Sequence, residues 1–199
     1  MINTQKMREL EESCGIPKRI LMENAGREVA SVISKKIDTK NKKFLVVSYH
    51  GSNGGDGFVA ARHLCNDAEV DVLFVGDERK LKHASLTNFR KIENNEMIQL
   101  LNMETVDFDE YDIIIDAIFG TGVKTEIKEP LATLIKNITN SKAYKVSIDV
   151  PTGIHPDTGE KANVHFEPDL IITLHDIKEG LAAYKDKTVV VDIGLGKSQ

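Results

Sequence analysis

Cysteine is scarce in this chain: Cys14 and Cys65 are the whole supply, and they form no CxxC pair. That excludes a disulfide framework and makes a reducing cytoplasm the expected home. Both thiols read as small, buried or half-buried side chains. Long apolar runs are missing, since none approaches the ~18 residues of a membrane span. The opening Met1-Ile-Asn-Thr-Gln-Lys6 lacks the apolar centre of a secretory signal. An excess of positive charge is missing as well, with 26 Lys and Arg against 31 Asp and Glu and a net charge of −5. No nucleic acid and no membrane is expected as a partner, because both call for a basic face. His50, His63, His83, His155, His165 and His175 never adopt the helix spacing of a zinc motif. Of these, His50 is the one placed at the mouth of a glycine-rich loop. No serine occupies a nucleophile elbow, which leaves acyl transfer without support.

What is present is an ordinary globular composition, 41% hydrophobic and 29% charged over 199 residues. That length suits one domain, 1–199, able to bury roughly 70% of its unfolded surface. Residues 3–13 read as a short charged helix. From Pro17 to about Lys36 a second helix carries Ile20, Leu21, Ala25, Val29, Val32 and Ile33 at spacings of three and four. Continuous apolar runs at 44–47, 70–75, 113–115, 144–148, 170–174 and 189–193 read as strands covered on both faces, with 97–101 as a further candidate. Between them, 58–64, 84–95, 130–138 and 176–183 read as helices. Alternation of this kind predicts an α/β fold with a mostly parallel sheet covered on both faces.

Ligands of such sheets bind beyond the carboxyl ends of the strands. Three segments leave those ends rich in glycine and small polar residues: His50-Gly-Ser-Asn-Gly-Gly-Asp-Gly57, Asp116-Ala-Ile-Phe-Gly-Thr-Gly122 and Asp149-Val-Pro-Thr-Gly153. The first is expected to be a loop whose glycines permit positive φ and close approach of a ligand to the backbone at the start of a helix. It is no lysine-bearing P-loop, and Asn53 stands where G-x-G-x-x-G needs its second glycine. Asp56 reads as a helix cap or a ribose-hydroxyl acceptor. Asn53, Asp116 and Thr152 offer hard oxygens for an alkali or alkaline-earth cation, or Asp116 is simply a cap. Asp149, on a turn stiffened by Pro151, is either a turn cap or a proton-transfer group.

Together Ser52-Asn-Gly-Gly-Asp-Gly-Phe-Val-Ala-Ala-Arg62, Asp116-Ala-Ile-Phe-Gly-Thr-Gly122 and Ser147-Ile-Asp-Val-Pro-Thr-Gly153 resemble the marks of the NAD(P)H-hydrate epimerase family, the YjeF N-terminal domain. Leu21-Met-Glu-Asn-Ala-Gly26, Asp157-Thr-Gly159, Lys178-Glu-Gly-Leu181 and Asp192-Ile-Gly194 agree in order and spacing. The resemblance implies a Rossmann-like three-layer αβα sandwich with a mostly parallel sheet, and an isomerase of nicotinamide nucleotide repair, interconverting the R and S epimers of hydrated NADH or NADPH, with a potassium ion and usually a homodimer. It implies substrate contacts at Ser52, Asn53, Gly54, Gly55 and Asp56, at Gly120, Thr121, Gly122, Val123, Lys124, Thr125 and Glu126, and at Asp149, which would be the catalytic acid or base. It implies potassium ligation by Asn53, Asp116 and Thr152. Related bifunctional proteins carry a dehydratase domain; the end of this chain near Gly196 implies dehydration by a separate protein. Tyr49 stands where the family commonly has glycine, Ser52 where it has asparagine, and Thr152 where it has serine. The altered first loop keeps a rival in play, a non-catalytic nucleotide-binding or scaffold module of the same fold. A dehydrogenase or methyltransferase would show the G-x-G-x-x-G fingerprint that is missing here.

Overall fold

The continuous apolar runs become strands with both faces covered. In the computed structural model, which describes residues 1–122 and 126–196, they form one seven-stranded sheet in the order β3-β2-β1-β4-β5-β6-β7, every pairing parallel. The strands are β1 (Lys43–Ser48), β2 (Glu69–Phe74), β3 (Ile98–Leu101), β4 (Ile113–Ala117), β5 (Tyr144–Ile148), β6 (Leu170–Leu174) and β7 (Thr188–Val191). Side chains alternate across a strand. Phe44, Val46, Ile113 and Ile115 therefore enter one layer, while Leu45, Val47 and Ile114 enter the other.

The first layer is helical: α1 (Thr4–Ser13), α2 (Lys18–Lys36), α3 (Ser52–Leu64) and α4 (His83–Glu93). It buries Met7, Val29, Ile33, Phe58, Leu64 and Ile92 against the sheet. The second layer has α5 (Leu131–Asn140), whose Leu134, Ile135 and Ile138 meet Phe166. Fully burying one such side chain contributes about 1.5–3 kcal/mol. The expected helix at 176–183 is a 3-10 stretch over Glu179–Lys187. Pro17 and Pro130 sit at the N-cap, one residue before their helices begin.

The glycine-rich loop is the main correction. Helix α3 starts at Ser52 with Gly51 as its N-cap, so 52–57 is helix rather than loop, and none of Gly51, Gly54, Gly55 or Gly57 has a positive φ. These glycines serve proximity. A Cβ on Gly54 would lie 1.8 Å from the Tyr49 carbonyl oxygen, and one on Gly57 would lie 2.5 Å from the Ala117 Cβ. Asp56 consequently stands inside the helix and caps nothing.

This order puts a topological switch between β1 and β4, where successive crossovers leave to opposite faces. Helix α3 begins directly over that crevice, the usual ligand site of an open parallel sheet. Residues at the amino end of the chain also reach this rim. Ile2 N–H donates to the Ile177 carbonyl (2.8 Å), Glu179 N–H donates to the Ile2 carbonyl (3.2 Å), and Thr4 binds the Asp157 carboxylate twice (2.7 and 2.6 Å).

Candidate active site

Register builds the first half of the site. Asp116 on β4 lies beside Val47 of β1 and Ser147 of β5, deep in the sheet and wholly buried. A buried carboxylate must find donors, and Asp116 finds four. Its Oδ1 accepts from Ile118 N–H (3.1 Å) and the Thr152 hydroxyl (2.7 Å). Its Oδ2 accepts from the Ser147 hydroxyl (3.1 Å) and Thr152 N–H (2.8 Å). Burial pushes this carboxyl above the usual carboxylate range, and the four hydrogen bonds oppose that shift. All four donors are neutral.

The three glycine-bearing segments converge here. Phe119 N–H donates to the Thr152 hydroxyl oxygen at 3.3 Å. With its amide nitrogen toward the Ile148 carbonyl, Asn53 donates there at 3.2 Å and accepts from Gly120 N–H at 3.2 Å. Gly120 has φ 56° and lies so close to Asn53 that a Cβ would come within 2.9 Å of the amide carbon. Gly153 bends the third turn at φ 86°, where a Cβ would strike the Val164 carbonyl oxygen at 2.3 Å.

Asp149 forms the second half. It sits just past β5 in a left-handed conformation, φ 67°, costly for a residue with a side chain and typical of functional positions. Its Oδ1 takes three donors: Lys178 Nζ (2.5 Å), the Thr173 hydroxyl (3.2 Å) and Leu174 N–H (3.2 Å). Its Oδ2 takes no hydrogen bond among the described residues, although Asp149 as a whole is only 7% exposed. Lys178 is completely buried, and its ammonium also donates to the Leu174 carbonyl (2.7 Å) and Thr173 Oγ1 (3.3 Å).

Two further acids feel this pair. Asp56, buried on α3, has no hydrogen-bond donor among the described residues. Burial drives its carboxyl well above the usual range, the negative Asp149 and Glu11 add to the effect, and Lys178 opposes it. Glu11 on α1 is raised by burial and by Asp149, with Lys18, Lys178 and Arg8 opposing. Sequence reading missed Lys178 and Glu11 as members of the site. The Lys178-Glu-Gly-Leu181 segment stood out in the sequence, but nothing in it announced a partner 29 positions away.

A model of the YjeF-related protein N-terminus family matches residues 18–180. The chain belongs to this family. Among YjeF-related relatives, the NAD(P)H-hydrate epimerase of Nitrosopumilus maritimus (strain SCM1) is 38% identical over 178 residues, 87% of this chain and 83% of that protein. The NAD(P)H-hydrate epimerase of Cenarchaeum symbiosum (strain A) is 35% identical over 94% of this chain and 90% of its own length. The bifunctional NAD(P)H-hydrate repair enzyme Nnr of Methanothermobacter thermautotrophicus is 37% identical over 92% of this chain, which spans 38% of that longer protein. The crystal structure of yeast ynu0, YNL200c, superposes with a TM-score of 0.82 over 96% of this chain and 87% of that one at 24% identity, so it shares the fold.

In this YjeF-related chain, Asn53, Gly54, Gly55 and Asp56 are buried at the start of α3 and Ser52 is exposed. Gly120 joins Asn53 and Thr152 joins Asp116, while Thr121 and Gly122 are exposed on the same rim. Val123, Lys124 and Thr125 lie outside the described residues. Glu126 lines a different cavity, beside Tyr49 and Phe119. His50 ties two loops together, its Nδ1 accepting from Asp77 N–H at 3.1 Å.

Proposed function

We propose that the chain is an NAD(P)H-hydrate epimerase in which Asp149 exchanges the proton at the reacting ring. One observation carries this reading: a rim aspartate whose first oxygen is saturated by Lys178, Thr173 and Leu174, leaving the second without a protein donor. Three donors fix the carboxylate's orientation, and the unclaimed oxygen suits a substrate proton.

The hydrate carries a hydroxyl on a ring carbon bonded to nitrogen. Inversion can run by ring opening: the hydroxyl proton leaves, C–O becomes C=O, the C–N electron pair returns to nitrogen, and nitrogen gains a proton. Alternatively the hydroxyl leaves as water with an added proton, the nitrogen lone pair forms C=N, and water returns to the other face while losing a proton. Either route needs one proton acceptor and one donor. Asp149 Oδ2 is the acceptor, and Asp56, which burial holds toward its neutral acid form, is the donor. A positioned group of this kind contributes about 10²–10⁴-fold. The free N–H groups at the start of α3 suit the substrate's pyrophosphate.

Potassium fits the other half of the site. Asp116 is a buried anion with no cationic partner among the described residues, Thr152 brings a hydroxyl oxygen to it, and Asn53 offers an amide oxygen on the adjoining turn, against Gly120. Two of its four donors are hydroxyls, which can rotate away and present lone pairs instead. A cation there would neutralise Asp116 and lock the three turns together. A homodimer, a reducing cytoplasm and a separate dehydratase acting on the same metabolite complete the proposal; no described helix is long and apolar enough to cross a membrane.

The test is chiral chromatography of hydrated NADH incubated with wild type and with Asp149→Asn. Epimer exchange should fall by about 10²–10⁴-fold in the variant. Unchanged exchange removes Asp149 from the chemistry. A wild type that binds the hydrate without exchanging epimers is a non-catalytic binding module.

A further inference from the structure

A cavity lies across the rim from Asp149. Its volume is about 650 Å³, within the ~300–1,000 Å³ range of small-molecule sites. Tyr49, Val75 and Leu101 stand at the carboxyl ends of β1, β2 and β3, Phe119 comes from the turn after β4, and Met103 and Leu131 close the wall. The two rings meet edge to face, centroids 5.4 Å apart. None of Asp56, Asp149 or Lys178 lines it.

Its placement identifies the occupant. In the order β3-β2-β1-β4-β5-β6, the cavity covers one flank of the switch point and Asp149 the other. From β2 to β5 is three strand spacings, roughly 14 Å. A single nucleotide bound at Asp149 would stop short of the cavity. Two ring systems joined by a pyrophosphate span it, and the pyrophosphate then crosses the start of α3, between Tyr49 and Phe119 on one side and Asp56 on the other. Tyr49, Phe74, Phe119 and the aliphatic side chains give the cavity the apolar faces a planar base requires, and Glu126, Lys128 and Glu129 line it as well. Asn102 accepts from Glu104 N–H through its amide oxygen (3.2 Å), which leaves its NH₂ to donate to a ring nitrogen.

We infer that this cavity is the subsite for the adenine ring of the dinucleotide substrate, with Tyr49 and Phe119 as its aromatic wall. The inference rests on the proposed function and adds a place for the half of the substrate that does not react. It also gives Tyr49 a binding task.

The experiment compares hydrated NADH with the hydrate of reduced nicotinamide mononucleotide, which has no adenylate. The ratio of kcat/KM for the dinucleotide to that for the mononucleotide is measured in wild type, Met103→Trp, which fills the cavity, and Tyr49→Ala, which removes the stacking wall. The ratio should fall by roughly tenfold in both variants, carried by KM. A ratio unchanged in a folded variant overturns the subsite, and Tyr49→Ala decides if Met103→Trp does not fold. If wild type turns over neither hydrate, the epimerase reading fails by itself and saturation-transfer NMR with AMP decides the cavity. AMP binding that Met103→Trp weakens then upholds the adenine subsite, and absence of AMP binding to wild type overturns it.

Discussion

The ends of β4 and β5 each carry a buried aspartate, and they solve the burial problem in opposite ways. Asp116 gathers four neutral donors, two on each oxygen, and no cationic side chain among the described residues. Asp149 loads one oxygen with three donors, one of them the buried ammonium of Lys178, and leaves the other oxygen open. Saturation makes Asp116 a fastener for the surrounding turns, with a charge still to be balanced. Asymmetry leaves Asp149 an oxygen for the proton exchange proposed for it.

The sharpest way to break the contrast is Lys178→Met. It orphans a buried carboxylate, and stability should drop by about 3–5 kcal/mol in urea unfolding. Adding Asp149→Asn should restore much of that loss, because the orphaned charge goes with it. A cost below about 1 kcal/mol, with no recovery in the double variant, would mean the pair matters little.

Potassium sharpens the other side. Adding it at about 100 times its dissociation constant should stabilise wild type by about 2.7 kcal/mol, read as a rise in Tm over the same buffer without it. Thr152→Val should abolish that rise. Because burial raises the Asp116 pKa, protons compete with the cation, so the effect should shrink as pH falls. An equal potassium response in Thr152→Val would detach the cation from Asp116.

The smallest effect concerns Asp56. Its folded pKa lies above the unfolded value near 3.9, so the native state keeps a proton that the unfolded chain has lost. Stability should therefore decline as pH climbs from the unfolded value through the folded one. Asp56→Asn removes that slope and should melt a few degrees above wild type at neutral pH, with the gap closing near pH 4. A gap that stays constant with pH would show that Asp56 is ordinary. The same variant should exchange epimers slowly.

The strands were legible because Ile113-Ile-Ile115 and Leu170-Ile-Ile-Thr-Leu174 leave no polar face for solvent, and their parallel order followed from alternation with helices. The meeting of the turns after β1, β4 and β5 was legible, because Asn53, Asp116 and Thr152 are hydrogen-bonding side chains set at or just beyond carboxyl strand ends. The first two turns of α3 were not. Glycine weakens a helix by about 1 kcal/mol per residue, so a run of it reads as loop. What overrides that preference is contact invisible to local pattern: the Tyr49 carbonyl against Gly54 and Ala117 against Gly57. Lys178 was hidden for a related reason. Its partner lies one strand away, and only the pairing of β6 with β5 brings the two together.

The strap between Ile2 and the Ile177–Glu179 segment has a consequence for how the protein is made. Residues leaving the ribosome first must wait for the segment that carries Lys178 before they can dock. At about 5–20 residues per second that is a delay of roughly ten to thirty-five seconds. Until then the nascent chain holds Asp149 without its counter-charge, and a product cut short before Lys178 would have a nearly complete sheet but an orphaned carboxylate at its rim.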